Sequence, residues 1–415
     1  MPALRKNEPL WTSINPVPAQ YPWLSHNETA QVCIIGGGIT GAMAAYRFAS
    51  AGVNTVLVTS HPLGYSGTST ACPSVRYDAG ESITELAKKI GIRTAIETYH
   101  ICAEALDSLE KLVEELDTDV GFARRDSLVY TDSEEEADCI YDEYLLRKQN
   151  GFDVEFINRD IASNVFSFDI AAAILSKNLA ADVDPYRLTH ALASKAIEKG
   201  ARIYENTRIT QVDNRAGESI LSSDTRHTIN TQTLILTTGN ECGEFIKAPT
   251  PSKTGFAAVS QRLDDFAGWP GRCSISMWSK PNITISSTPD SRIFASGLDT
   301  GVIDKQGRMY GILPVRRIPE RKYDELESAA RYLFPQIPFA KAEYAFAGSY
   351  CETEDGLPIV GEESEYQNCY FAVCPGNNST LYSEIAGRIL LSMYEEEPLT
   401  ELNAFSYDRL DRGNS

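Results

Sequence analysis

The stretch at residues 30–60, AQVCIIGGGITGAMAAYRFASAGVNTVLVTS, constrains the fold more than any other part of the chain. Residues 32–35 are a short apolar run suited to a strand buried on both faces. Gly36, Gly38 and Gly41 follow as GxGxxG at a turn into a helix. The first glycine permits the tight turn, the second lets backbone approach a pyrophosphate, and the third lets helix pack closely on strand. Ile39 and Thr40 open the helix, whose free N–H groups and positive dipole end suit phosphate. The alternative is a glycine-rich turn that holds nothing, and context argues against it. An Ala-rich helix runs through Ala44, Ala45 and Phe48, ends at Ala51-Gly52, and leads to a second strand at residues 55–58. Such a strand normally ends, about twenty residues after the motif, in Asp or Glu for the adenosine ribose. Here Thr59 and Ser60 stand there, and their hydroxyls make weaker, neutral hydrogen bonds.

A chain of 415 residues exceeds what one core usually serves, which implies two closely joined domains. The net charge of -19 disfavours nucleic acid and anionic lipid as partners. The first 24 residues lack the apolar core of a signal peptide, and no apolar run reaches membrane-spanning length. Nine scattered cysteines without CxxC, and five dispersed histidines, read as reduced thiols in a cytoplasmic protein, with no disulfide framework and no metal site. The acidic triplets at residues 134–136 and 395–397 read as solvated faces.

Tyr99, Cys102, Leu106, Leu109, Val113 and Leu116 recur at three- and four-residue spacing, predicting an amphipathic helix whose stripe is packing. Residues 256–298 turn to short strands. Ile283 and Ile285 alternate before a Thr288-Pro289-Asp290-Ser291 turn, and residues 292–296 follow, predicting a hairpin in an antiparallel sheet.

Several distant segments together resemble the superfamily of D-amino-acid oxidase, glycine oxidase and sarcosine oxidase. They are IIGGGITG; the polar stretch GYSGTSTACPSVRY at residues 64–77; DVDPYRLTHALASKAIEKGARIYENTRITQV at 182–212; TLILTTG at 233–239; EDGLPIVGEE at 354–363; and YFAVCPGNNSTLYSEIAGRIL at 370–390. Their order and spacing match over nearly the whole chain. The resemblance implies an α/β fold: a Rossmann-type, glutathione-reductase-like FAD-binding domain with an inserted α+β substrate domain on an antiparallel sheet. Residues 1–80, 182–248 and 341–415 would form the former, and 81–181 and 249–340 the latter.

Non-covalent FAD is the cofactor this implies, held by Gly36, Gly38, Ile39, Thr40, Gly41, Thr59 and Ser60, by Gly67, Thr68 and Ser69 of the second loop, by Ile209, by Thr238 and Gly239, and by Gly376, Asn377, Asn378, Ser379 and Thr380 of the last loop. The last loop could aim N–H groups and a helix dipole at the flavin edge that becomes negative on reduction. The family attaches flavin to cysteine in some members, but that position falls on Gly348 here, and Cys351 reads as a small buried residue. Cys72 and Cys374 are read as small fillers too.

The implied reaction oxidises a C–N bond of an amine or amino acid by hydride transfer to flavin N5, with oxygen or another acceptor taking the electrons. Arg76 and Tyr77 are the candidates for holding a substrate carboxylate, Arg through its fork and Tyr through its phenol. The hairpin strand carries Asn282, Thr284 and Ser286 where the family has aromatic and arginine residues. A second reading therefore stays open, a flavin-binding homologue without oxidase chemistry. A nicotinamide dehydrogenase fits less well, because the chain returns to the cofactor segments at its middle and end.

Overall fold

Apolar residues 32–35 form the fully buried end of the strand Glu28–Ile35, and Ile39–Ser50 follows as a helix in which Ala42, Met43, Ala44, Ala45 and Phe48 are buried. The computed structural model describes residues 7–78, 80–215, 217–244, 251–279, 282–301, 320–337, 341–397, 399, 402–407 and 409.

The strand Glu28–Ile35 is central in an eight-stranded sheet among the described residues. It pairs in parallel with Thr55–Val58 and Thr228–Leu236; Arg202–Tyr204 and Cys369–Val373 extend these on either side, also in parallel. Parallel neighbours need crossovers, and helices supply them. Helices Pro185–Glu198 and Ser379–Tyr394 join Ile39–Ser50 and the long helix Ile92–Glu114 in one apolar core. Asp184 caps Pro185–Glu198 by accepting from the N–H groups of Tyr186 and Arg187 at 3.0 and 2.9 Å, with Pro185 in the first turn where no N–H is needed. The antiparallel hairpin Ile209–Arg215 and Glu218–Ser223 attaches to Thr228–Leu236, and Ile359–Glu362 closes the other edge.

The second sheet has nine strands among those described: Tyr344–Cys351, Ser252–Val259, Ile293–Gly301, Ile283–Ser287, Ser274–Met277, Ala123–Thr131, Ala172–Asp182 and Ser74–Arg76 in spatial order, with Val154–Asn158 on Ala172–Asp182. The hairpin expected from the 283–296 alternation is present, Ile285 facing Ala295. The sheet is antiparallel except at one junction, where Ser274–Met277 runs parallel to Ala123–Thr131. Helix Glu320–Leu333 covers one face with an apolar core of its own. The chain first enters this sheet at Ser74, earlier than residue 80, returns to the first sheet between residues 202 and 236, and finally leaves the second sheet at Cys351, later than residue 341.

The amphipathic stripe proves to be packing. Tyr99, Cys102, Leu106 and Leu109 are fully buried in Ile92–Glu114, and Val113 and Leu116 pack partly buried at its end. No described helix is long and apolar enough to cross a membrane.

Candidate active site

The carboxyl ends of the first sheet's parallel strands meet one face of the second sheet across a cavity of about 650 Å³. That is within the usual size of a cofactor or small-molecule pocket. Gly36, Gly37, Gly38, Ile39 and Thr40 form part of its wall. The loop must pass close to its neighbours here. A Cβ on Gly36, whose φ is +125°, would overlap the Thr237 carbonyl, and one on Gly37 would lie 2.7 Å from the Thr59 side chain. At Gly38 an added Cβ would meet only Thr68 Oγ1, at 3.3 Å, so this backbone borders open space.

Thirteen of the eighteen expected cofactor residues line the cavity: Gly36, Gly38, Ile39, Thr40, Thr59, Ser60, Gly67, Thr68, Ile209, Thr238, Gly239, Gly376 and Ser379. The other five support it from behind or stand apart. Gly41 is the close-packing glycine, since a Cβ there would overlap the Gly36 carbonyl oxygen. Ser69 is buried and donates to Tyr65 O and Ser66 O, closing the second loop on itself. Asn378 clamps Arg76, donating to its carbonyl at 2.8 Å and accepting from its N–H at 3.0 Å. Thr380 is buried in the first turn of Ser379–Tyr394. The side chain of Asn377 lies outside the described residues.

Tertiary structure adds wall residues that no spacing announced. His61, Thr207, Arg208, Asn240 and Glu241 join from three separate chain segments. Arg208 lies one residue before Ile209 and belongs to the quoted middle segment, but only the strand ends bring it to the wall beside Thr59 and Ser60. Thr68 turns inward, and its Oγ1 accepts from the N–H of Ile39 at 3.0 Å, so the second loop caps the helix of the first. A nearby acid, Glu205, is used elsewhere: its carboxylate accepts from the N–H groups of Leu63 and Tyr21 at 2.6 and 3.1 Å.

FAD fits these residues. The Gly38 backbone borders open space at the helix start, and Thr238 Oγ1 and Asn240 Oδ1, on wall residues, are buried without a hydrogen-bond partner. A polar ligand bonding there would relieve both.

The second sheet supplies the opposite wall with Gly255, Ala257, Phe294, Ser296, Phe346, Gly348 and Tyr350. Ser286 and Ser296 approach Cys72 Sγ at 3.7 and 3.9 Å, and Cys72 is buried, which raises its thiol pKa. Burial pushes the Cys374 thiol up to about 12. Both are neutral fillers, as their sequence positions suggest. At Gly348 no thiol is available, and a Cβ there would overlap Thr70. Cys351 Sγ donates to Gly239 O at 3.0 Å and lies 3.3 Å from Cys242 Sγ.

Arg76 and Tyr77 are not among the lining residues. Arg76 pairs with Asp78 at 2.9 Å and bonds Ser276. Tyr77 is fully buried, its hydroxyl bonded to Ser176 at 2.9 Å and to the Arg147 guanidinium at 3.0 Å. Arg147, itself buried, also pairs with Glu143 at 2.8 Å and bonds Tyr99. The expectation for Tyr77 therefore meets a structural cluster. Tyr77, just past the strand Ser74–Arg76, packs into the core shared with the helices, where a buried guanidinium requires partners.

Comparison with known proteins agrees with this geometry. The model of the FAD dependent oxidoreductase family (DAO) matches residues 31–393. The chain is 27% identical over 232 residues to the putative Rieske 2Fe-2S iron-sulfur protein YhfW of Bacillus subtilis; the match covers 55% of this chain and 43% of that protein, less than half its length. Glycine oxidase of Geobacillus kaustophilus is 22% identical over 387 residues, covering 91% of this chain and 96% of that one. Its crystal structure superposes with a TM-score of 0.75 at 20% identity, covering 92% and 98% of the two chains. Gamma-glutamylputrescine oxidoreductase of Escherichia coli is 20% identical over 390 residues, covering 90% of this chain and 86% of that protein. With the family's model spanning most of the chain and the cavity built from the same segments, the protein belongs to the FAD dependent oxidoreductase family.

Proposed function

We propose that the protein oxidises a C–N bond of a small amine or amino acid, using non-covalently bound FAD and passing the electrons to oxygen or another acceptor. FAD, when bound, supplies the hydride acceptor at its N5. The chain's own part is to hold and enclose. The backbone of Gly38 and Thr40 offers N–H groups and the helix start its dipole to the pyrophosphate, while Gly36 and Ile39 hold the loop in place. Thr59, Ser60, Thr238 and Asn240 offer polar atoms, and Gly376 with Ser379 brings a second helix start to the same cavity. Phe294 and Phe346 in the opposite wall exclude water from the reacting carbon.

One observation carries the reading: the glycine-loop wall and the second sheet's face enclose a single cavity, so cofactor and substrate share one space. The names of two relatives, a glycine oxidase and a gamma-glutamylputrescine oxidoreductase, support a nitrogen-bearing donor. The nine thiols favour a reducing, cytoplasmic compartment. The first sheet with its helices is assigned to FAD and the second to the substrate.

The test is an absorption spectrum of the purified protein, followed by anaerobic addition of a panel of amines and amino acids while the flavin band is watched. A yellow protein whose band bleaches with members of the panel is the expected result. A yellow protein that no member bleaches would instead favour the homologue without oxidase chemistry. Failure to retain or take up FAD would remove the cofactor assignment.

A further inference from the structure

Two thiols meet where the two sheets come together. Cys242 lies in the short 3₁₀ helix Gly239–Glu244 that follows the first sheet's strand Thr228–Leu236, and Cys351 ends the strand Tyr344–Cys351 at the edge of the second sheet. Both are buried, and their sulfurs are 3.3 Å apart although 109 positions separate them in the chain. Cys351 Sγ donates its one hydrogen to Gly239 O at 3.0 Å, which leaves Cys242 as the donor between the two sulfurs. Cys351 lines the cavity, as do Gly239, Asn240, Glu241 and Gly243 of the helix that carries Cys242. Cys242 itself is packed with Cys351 in the apolar cluster behind that wall.

A disulfide holds its sulfurs at about 2.05 Å, so this pair falls short of one by little more than about 1 Å. An oxidant small enough for the cavity meets Cys351 first, and the sulfur that resolves the product is already in contact with it. Hydrogen peroxide is such an oxidant, and its reaction with the pair balances. The Cys351 sulfur gives up its proton and attacks one peroxide oxygen; the S–O bond forms, the O–O bond breaks, and the leaving hydroxide takes the proton as water. The Cys242 sulfur then attacks the Cys351 sulfur; the S–S bond forms, the S–O bond breaks, and the hydroxyl leaves as water with the Cys242 proton. The two thiols lose two electrons, and peroxide is reduced to two waters.

We propose that Cys242 and Cys351 are a redox modification site, an attacking and a resolving thiol that peroxide closes into a disulfide between the two walls of the cavity. The bond fastens residues 238–241 to the second sheet, so that FAD leaves the oxidised protein more slowly. In a reducing compartment the pair rests as thiols, and closure is a response to oxidant. The site does not depend on C–N oxidation, because added peroxide closes the pair without substrate.

The experiment treats FAD-loaded wild type and Cys242→Ser with excess hydrogen peroxide. Remaining thiols are alkylated, peptides are mapped by mass spectrometry, and FAD release on dilution is followed by flavin fluorescence. The expected wild-type result is a peptide linked through Cys242 and Cys351 and a release slower by roughly tenfold. Dithiothreitol reverses both, as it would not for a sulfinic acid. In Cys242→Ser, dimedone present during oxidation labels Cys351, and peroxide leaves the release rate unchanged. The proposal is overturned if the wild type shows no Cys242–Cys351 link, if the linked protein releases FAD at the rate of the reduced one, or if Cys242→Ser shows the same slowing. The wild-type peptide map decides the linkage even where the variant does not fold. A linked pair in a protein whose flavin no amine bleaches would sink the oxidation and leave this site standing.

Discussion

Gly38 and Gly41 show how differently two glycines of one motif act. Gly41 is a packing residue, since any Cβ would press into the Gly36 carbonyl and part the helix from its strand. Gly38 borders the cavity and has only Thr68 near it. Gly38→Val should therefore yield a folded protein that has lost FAD, because the branched side chain occupies the space where backbone approaches pyrophosphate. Circular dichroism and the ratio of flavin to protein absorbance check this together, and a folded variant with full FAD content would remove Gly38 from the cofactor wall. The glycine pattern was readable in the chain because a turn, a close approach and a helix contact each demand glycine at a set spacing. The fate of Tyr77 was not. An Arg-Tyr pair after a flavin loop carries no mark of which face each side chain takes, and only the burial of Arg147 beside Glu143 explains why the phenol points away from the cavity.

At the scale of elements, the site depends on loops that cap one another. Ile39–Ser50 begins at a residue with no side chain, so its cap comes from Thr68 in the second loop. Thr40 then bonds Ser383 at 2.8 Å, and Arg47 pairs with Glu384 at 2.6 Å, fastening this helix to Ser379–Tyr394. Thr68→Val should remove the cap acceptor at constant shape, with a loss of about 1 kcal/mol of stability and a faster release of FAD. Denaturant unfolding and the flavin dissociation rate measure the two effects, and a release rate equal to the wild type would mean that the two loops are independent. Helix and strand identities were legible here from period and caps. Asp184-Pro185 and the alternation of Ile283 and Ile285 both produced the elements they predict. The mutual capping was not legible, because Thr68 and Ile39 are joined only through the folded loops.

For the whole molecule, buried carboxylates link stability to pH. Asp182 ends the strand Ala172–Asp182 and is almost fully buried, bonded to Ser287 and paired with Arg125 at 2.8 Å. Burial, only partly offset by Arg125, pushes its pKa from 3.8 up to about 6. A raised acid holds its proton in the folded state where the unfolded chain has released it. Its contribution is therefore fully present below pH 3.8 and is lost as pH rises through about 6, by about 3 kcal/mol in total. Asp182→Asn should flatten that part of the pH dependence. Unfolding free energies at several values between pH 4 and 7 test it, and identical slopes in variant and wild type would exclude Asp182 as the source.

The family segments, their order and the αβ units were determined by the sequence alone, because local periodicity, glycine spacing and caps act over a few residues and leave a visible pattern. The division of the chain between its two sheets, the parallel junction at Ser274–Met277, and the entry of Arg208, Asn240 and Glu241 into the cavity wall were decided by tertiary structure. So was the meeting of Asp299, Tyr350, Gly255 and Gly348. These four come from three strands, and nothing in a linear pattern records which strands will pair or which side chains will meet across them.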